Sequence, residues 1–259
     1  MTTFFQMKHI DIYMSEANIQ PIIISFLSYN KIRRCIKSFY RLFPKKEIIV
    51  FNNNPLPGSP RWTIDCEKEA EWLKSHKIRC IESPTRHIHR GSNYKFINSN
   101  IQMEYYPYNN HGLALDYTVS WCKENSIESV LLLEPDCWIT KTDWYYQSVE
   151  EIEKGYYVTG QAEQIIECNH LRKKEITKEY VLQMAGSIWS VNQVTESFQI
   201  YPIIDDPPIR KIIDTGQRLF LKLYYLGKAK ILNLDGFHHF WHGSKKEGTF
   251  YNIDRAGKI

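Results

Sequence analysis

Nowhere in the 259 residues do two cysteines stand in a Cys-x-x-Cys pair. The six cysteines, Cys35, Cys66, Cys80, Cys122, Cys137 and Cys168, are scattered. That pattern suggests neither a structural zinc site nor a disulfide framework. A reducing, cytoplasmic setting is therefore expected. No Gly-x-Gly-x-x-Gly follows an apolar run, which disfavours a dinucleotide enzyme. No apolar stretch approaches the ~20 residues that a membrane span needs. The opening MTTFFQMKHIDIYMSEANIQ carries acids and no long apolar core, so it makes a poor secretory leader. A strong charge bias is missing too. The chain has 33 basic and 29 acidic residues, a net of +4, too mild to argue for nucleic acid. Two short basic clusters, Arg33-Arg34 and Arg172-Lys173-Lys174, read best as solvated faces. For one of them an anionic ligand or a peripheral membrane contact stays open. No internal repeat, low-complexity linker or domain boundary is visible, so residues 1–259 are expected to form a single domain.

What the chain does have is apolar substance: 43% of its residues are hydrophobic, enough for one large core or two halves sharing a sheet. Pro21–Leu27 is a short β-branched run and predicts a buried strand. Ser28-Tyr29-Asn30 follows as a turn, with Asn30 as the expected helix N-cap. Ile32, Cys35, Ile36, Phe39 and Phe43 then recur at helical spacing, and Pro44 closes that helix. Glu47–Phe51 predicts a second strand ending in Asn52-Asn53-Asn54-Pro55. A helix over about Asp65–His76 and a strand around Ile78–Ile81 come next. Residues Ser83–Asn110 read as loop with a short strand near Met103. Gly112 opens a helix with Leu113, Tyr117 and Trp121 on one face, and Ser129–Leu133 is the next strand. In the second half, Tyr156–Thr159, Leu182–Val191 and Ala229–Leu232 read as strands. Asp214 begins a helix with Leu219, Phe220, Leu223 and Leu226 toward the core, ended by Gly227.

Strands alternating with helices predict an α/β fold with a mostly parallel sheet flanked by helices. Ligands of such sheets sit beyond the carboxyl ends of the strands. Tyr29-Asn30, Asn52-Asn53 and Glu134-Asp136 all fall at those ends and should converge. The stretch VLLLEPDCW, residues 130–138, is the sharpest of these signals. Residues two apart on a strand share a face, so Glu134 and Asp136 are expected to meet one ligand. Pro135 cannot join the ladder and marks the strand's exit. Two acids at the end of a buried strand need a positive partner, and Mg²⁺ or Mn²⁺ prefers such oxygen ligands. The bland alternative has one carboxylate capping the turn or pairing with Lys141.

These blocks together resemble the GT-A fold glycosyltransferases of the large family 2 type, which use nucleotide-sugar donors. IIISFLSYN, residues 22–30, is similar to that family's first strand and its threonine-tyrosine-asparagine end, with Ser28 in the threonine's place. EIIVFNNNP, residues 47–55, is similar to the second strand, with asparagines where an aspartate is usual. Asn110-His111-Gly112 resembles the block before the fourth strand. LLLEPD, residues 131–136, stands where the DxD motif stands, with Glu134 first. Asp214-Thr215-Gly216 resembles the start of the helix bearing the catalytic carboxylate. His239-Phe-Trp-His-Gly-Ser244 resembles a closing histidine block.

The resemblance implies a GT-A (Rossmann-like) sheet with a smaller mixed acceptor-side sheet. A nucleotide-sugar half would span about residues 20–136 and an acceptor half about residues 137–245. It implies an inverting transferase with Asp214 as base. Ser28, Tyr29, Asn53, Gly112, Glu134 and Asp136 would border the nucleotide sugar, and Asp136 with His239 (or His242) would hold Mn²⁺ or Mg²⁺. A UDP-sugar is the expected donor and a glycan or lipid-linked glycan the expected acceptor, with Trp189 and Trp241 as stacking surfaces for it. Against these stand ordinary structural roles: a helix cap for Asp214, turn residues for most of Asn52–Asn54, and core packing for Trp189, Trp241 and Tyr145. Two other readings compete. One is a sugar-phosphate nucleotidyltransferase, disfavoured because the loop FLSYNKIRR lacks glycine. The other is a non-catalytic nucleotide- or carbohydrate-binding protein.

Overall fold

A computed structural model describes residues 18–87, 95–98, 101–104, 110–168, 174–182, 184–198 and 216–239. The strands are β1 (Ile19–Ser25), β2 (Ile49–Asn52), β3 (Arg79–Glu82), β4 (Lys95–Asn98), β5 (Ile101–Glu104), β6 (Ser129–Leu133), β7 (Cys137–Ile139), β8 (Val158–Cys168), β9 (Lys174–Leu182), β10 (Ile188–Ser190), β11 (Ala229–Leu232) and β12 (Phe237–His239). The α-helices are α1 (Tyr29–Leu42), α2 (Ile64–Ser75), α3 (Asn110–Glu124), α4 (Asp143–Glu153) and α5 (Gln217–Tyr225).

Seven strands run side by side in the order β11-β8-β10-β6-β1-β2-β3, and β9 pairs with β8 outside that path. β1 is parallel to β2 and β6, β2 to β3, and β11 to β8, while β10 is antiparallel to both neighbours. The expected α/β fold is therefore present, and strands from both halves of the chain share one sheet. The smaller sheets are two antiparallel pairs, β7 with β12 and β4 with β5.

Alternation along the central strands divides the core in two. Ile23, Leu131 and Leu133 face one side, where they pack with Ile32, Cys35, Ile36 and Phe39 of α1, Trp72 and Leu73 of α2, and Trp144 of α4. Ile22, Ile24, Val130 and Leu132 face the other, against Ala114, Leu115 and Val119 of α3 and Leu219, Phe220 and Leu223 of α5. Strands covered on both faces must be apolar at every position, which is why VLLL carries no polar residue.

Three local expectations change. Ser28, not Asn30, stands at the N-cap of α1, and its side chain makes no capping bond. The span Leu182–Val191 is not one strand: Leu182 ends β9, and Ile188–Ser190 forms β10. Leu226 is 62% exposed because α5 has already ended. The stop lies in the next residue, where Gly227 takes φ +66°. Its N–H donates to Tyr224 O at 2.9 Å and the Lys228 N–H donates to Leu223 O at 2.8 Å, the paired closure that glycine favours.

Candidate metal and nucleotide site

The strand β6 ends at Leu133, and the next four residues make a β-turn. The Cys137 N–H donates to Glu134 O at 3.0 Å, with Pro135 at the position whose fixed φ suits the turn. Glu134 and Asp136 therefore meet through a turn rather than through alternation along one strand. The buried Cys137 thiol receives the Glu134 N–H at 3.3 Å. Burial pushes that thiol well above its ordinary pKa, so it stays an uncharged packing group.

From the turn the chain enters β7. Helix α1 supports this strand: the Ile139 N–H donates to Ser38 Oγ at 3.1 Å, and Arg41 Nη2 donates to Ile139 O at 3.2 Å. β12 pairs with β7 so that His239 stands opposite Cys137 and Phe237 opposite Ile139. That register delivers His239 to the carboxylates. Its Nε2 lies 2.9 Å from Glu134 Oε2 and 3.2 Å from Asp136 Oδ1. His238 points the other way, toward Thr140 Oγ1 at 3.4 Å. Lys141 does not join the carboxylates, because its Nζ is held by Asp235 at 2.6 Å.

The trio is nearly dry. Side-chain exposure is 2% for Asp136, 5% for His239 and 20% for Glu134. Burial works to lower the His239 pKa, but hydrogen bonds and charge from Asp136 and Glu134 outweigh it and raise it to about 10. Without a metal, an imidazolium thus offsets one of the two negative charges. Lys31, in the first turn of α1, adds a second positive charge 3.9 Å from Asp136 Oδ2.

The donor set fits a divalent cation. One ligand atom from each of Glu134, Asp136 and His239 lies within 4.8 Å of the others. Two carboxylates suit a hard divalent cation such as Mg²⁺ or Mn²⁺.

The neighbouring strand ends carry the other expected residues. The Asn53 N–H donates to Ser25 O at 2.9 Å, and Asn53 Oδ1 accepts from Thr85 Oγ1 at 2.7 Å. Asn52 Nδ2 donates to Glu82 Oε1 at 3.1 Å, and its Oδ1 accepts the Asn54 N–H at 3.0 Å. The three asparagines thus hold the turn together. Ser28 is buried, with its Oγ 3.1 Å from Ser25 Oγ. The half-buried Tyr29 packs against the core, and its hydroxyl accepts from Arg33 Nη1 at 3.2 Å. Gly112 lies buried in the first turn of α3.

Trp189 is a correction. It is fully buried, its ring centroid is 5.0 Å from that of Phe198, and its Nε1 donates to Ser187 Oγ at 2.7 Å. It presents no surface to an acceptor. Tyr145 is likewise a core residue, against Phe43 and Trp144. Asp214, Trp241 and His242 lie outside the described residues.

Two participants escaped the sequence reading. Lys31 gave no signal beyond its place after Tyr29-Asn30. Glu69 did give one: it shares the buried stripe of α2 with Cys66, Trp72 and Leu73, and an acid on an apolar stripe demands partners.

No family model and no curated protein matches the sequence. Solved structures do. A mannosyltransferase from Pyrobaculum calidifontis, in complex with GDP-Man and Mn²⁺, is similar over 92% of this chain and 61% of that chain, at 12% identity and TM-score 0.50. Mouse xyloside xylosyltransferase 1, in its apo form, is similar over 83% and 85% of the two chains, at 10% identity and TM-score 0.48. A Bacillus anthracis protein described as a glucose-1-phosphate thymidylyltransferase is similar over 93% and 94%, at 10% identity and TM-score 0.48. The likeness is one of fold, and the chain spans about three fifths of the mannosyltransferase's length.

Proposed function

We propose that the chain is a GT-A, family 2-like glycosyltransferase that moves a sugar from a nucleotide-diphosphate donor, a UDP-sugar by expectation, to a hydroxyl of a glycan acceptor. The observation that carries this reading is the meeting of Glu134, Asp136 and His239 at the carboxyl end of β6. Open α/β sheets bind ligands at that edge.

In this reading residues 20–136 hold the nucleotide sugar and residues 137–245 receive the acceptor. A divalent cation held by Glu134, Asp136 and His239 would supply Lewis-acid neutralisation of the leaving diphosphate. Lys31 adds a positive charge on the same side. Ser28, Tyr29, Asn53 and Gly112 border the donor. Asp214 takes the proton from the acceptor hydroxyl. The acceptor oxygen then bonds to the anomeric carbon as the bond to the diphosphate oxygen breaks, and attack from the opposite face inverts that carbon.

The direct test is thermal denaturation with UDP, GDP, CDP and dTDP, each with and without Mn²⁺. A ligand at about 100 times its Kd stabilises by about 2.7 kcal/mol. One of the four should raise the melting temperature only when Mn²⁺ is present. If all four leave it unchanged at millimolar concentration, the reading fails.

A further inference from the structure

Among the described residues two buried acids, Glu69 and Asp116, lie outside the metal cluster, and Glu69 is the one at the strand ends. Glu69, on α2, is 1% exposed and sits beneath the turn from β1 to α1. Its Oε1 accepts from Asn54 Nδ2 at 2.7 Å and from the Ser25 hydroxyl, and its Oε2 accepts from Ser28 Oγ at 3.3 Å. Asn54 passes the constraint on: its Oδ1 accepts the Leu27 N–H at 2.6 Å. Leu27 has φ +48°, a conformation that a branched residue keeps only when its surroundings impose it.

The outcome is a presented surface. Phe26 and Leu27 are 39% and 42% exposed, at the carboxyl end of a strand that runs directly beside β6. An apolar pair there, with Leu27 held against its backbone preference, suits the flat face of a ring.

We infer that Glu69 is a positioning residue: through Asn54 and Ser28 it locks the β1–α1 turn so that Phe26 and Leu27 form the wall against which the donor's nucleobase packs. This rests on the nucleotide-sugar reading above. The lock works by geometry rather than by charge. Glutamine keeps the bonds that hold Asn54, because its oxygen accepts from Ser25 and Asn54 and its amide donates to Ser28 Oγ; it gives up only the bond from the Ser28 backbone N–H. Aspartate keeps the charge but is one methylene short.

The experiment compares Glu69→Gln, Glu69→Asp and Asn54→Ala with the wild type in two measurements. Hydrogen exchange at the Leu27 amide reads the lock with no nucleotide present. Calorimetry with Mn²⁺ alone, and with Mn²⁺ plus the nucleoside diphosphate that stabilises the wild type, reads its consequence. Glu69→Gln should keep Leu27 protected and nucleotide affinity within about threefold. Glu69→Asp and Asn54→Ala should lose that protection and weaken nucleotide binding by about tenfold or more, roughly one contact's worth of affinity. Mn²⁺ binding alone should be unchanged in all three. Unaltered exchange at Leu27 in Glu69→Asp and Asn54→Ala overturns the lock. Lost protection with wild-type nucleotide affinity overturns its role in the site. A defect in Glu69→Gln absent from Glu69→Asp shows that charge matters and overturns the geometric account. A wild type that binds none of the nucleotides sinks the proposed function instead, and the exchange measurement still decides the lock.

Discussion

His239 Nε2 and Glu134 Oε2 lie 2.9 Å apart although 105 positions separate them in the chain. The contact exists because β12 pairs with β7 in one register, and a slip of one residue would put His238 in its place. It is the joint on which the metal reading rests.

Replacing His239 by alanine, or Asp136 by asparagine, should weaken Mn²⁺ binding by at least about tenfold, since losing even an outer partner of a metal ligand costs that much. Titration calorimetry with Mn²⁺ checks this. Wild-type affinity in His239→Ala would remove the histidine from the ligand set.

The pH dependence has a definite sign. The His239 pKa rises from 6.5 to about 10 in the folded chain, so the folded state holds a proton that the unfolded state releases. Its contribution to stability is complete below 6.5 and fades as pH climbs toward about 10. Metal-free melting temperatures of wild type and His239→Gln should therefore converge as pH rises through that window. Mn²⁺ affinity should rise over the same window, because the ion takes neutral imidazole.

Glu69 titrates with a related sign. Burial raises its pKa above 4.5, although hydrogen bonds from Ser25, Asn54 and Ser28 oppose the shift. Stability from this group is greatest in acid and falls as pH rises through its folded pKa. Glu69→Gln should thus gain on the wild type in denaturant melts as the buffer moves from about pH 4 to about pH 8.

Lys31→Met removes the cation 3.9 Å from Asp136. Lys31 is 40% exposed, so solvent screens the pair and its effect is at most about fivefold. Mn²⁺ alone should bind slightly more tightly, while a nucleoside diphosphate in the presence of Mn²⁺ should bind more weakly. Isothermal titrations of both ligands separate the two effects.

Gly186→Ala acts at a distance. A Cβ there would meet the Phe237 ring at 2.7 Å, on a backbone with φ +79°. Overpacking of this kind costs about 1–3 kcal/mol. Because Phe237 precedes His239 by two residues in β12, Mn²⁺ affinity should fall along with the denaturation midpoint.

Much of this was readable in the sequence. The apolar runs at Ile22–Ile24 and Val130–Leu133 predicted strands buried on both faces, and the sheet contains them. The resemblance implies Asp136 and His239 as metal ligands with Glu134 beside the nucleotide sugar, and in the structure these three side chains lie together. Other features were less legible because they depend on partners far along the chain. Nothing in EPDCW says that its two acids meet through a turn. Trp189 carries no mark that separates a core indole from a stacking surface, since only the packing of Phe198 decides it. The place of Glu69 on the apolar stripe of α2 shows that it needs partners, but not that the ends of β1 and β2 supply them.

The pairing of β7 with β12 also has a consequence in time. Glu134 and Asp136 are made about a hundred residues before His239, and β12 must dock on β7 before the third partner reaches them. An ion that binds all three ligands closes a loop of about a hundred residues, the kind of long-range closure that comes late in folding. The three-ligand set is therefore complete only once β12 has docked on β7.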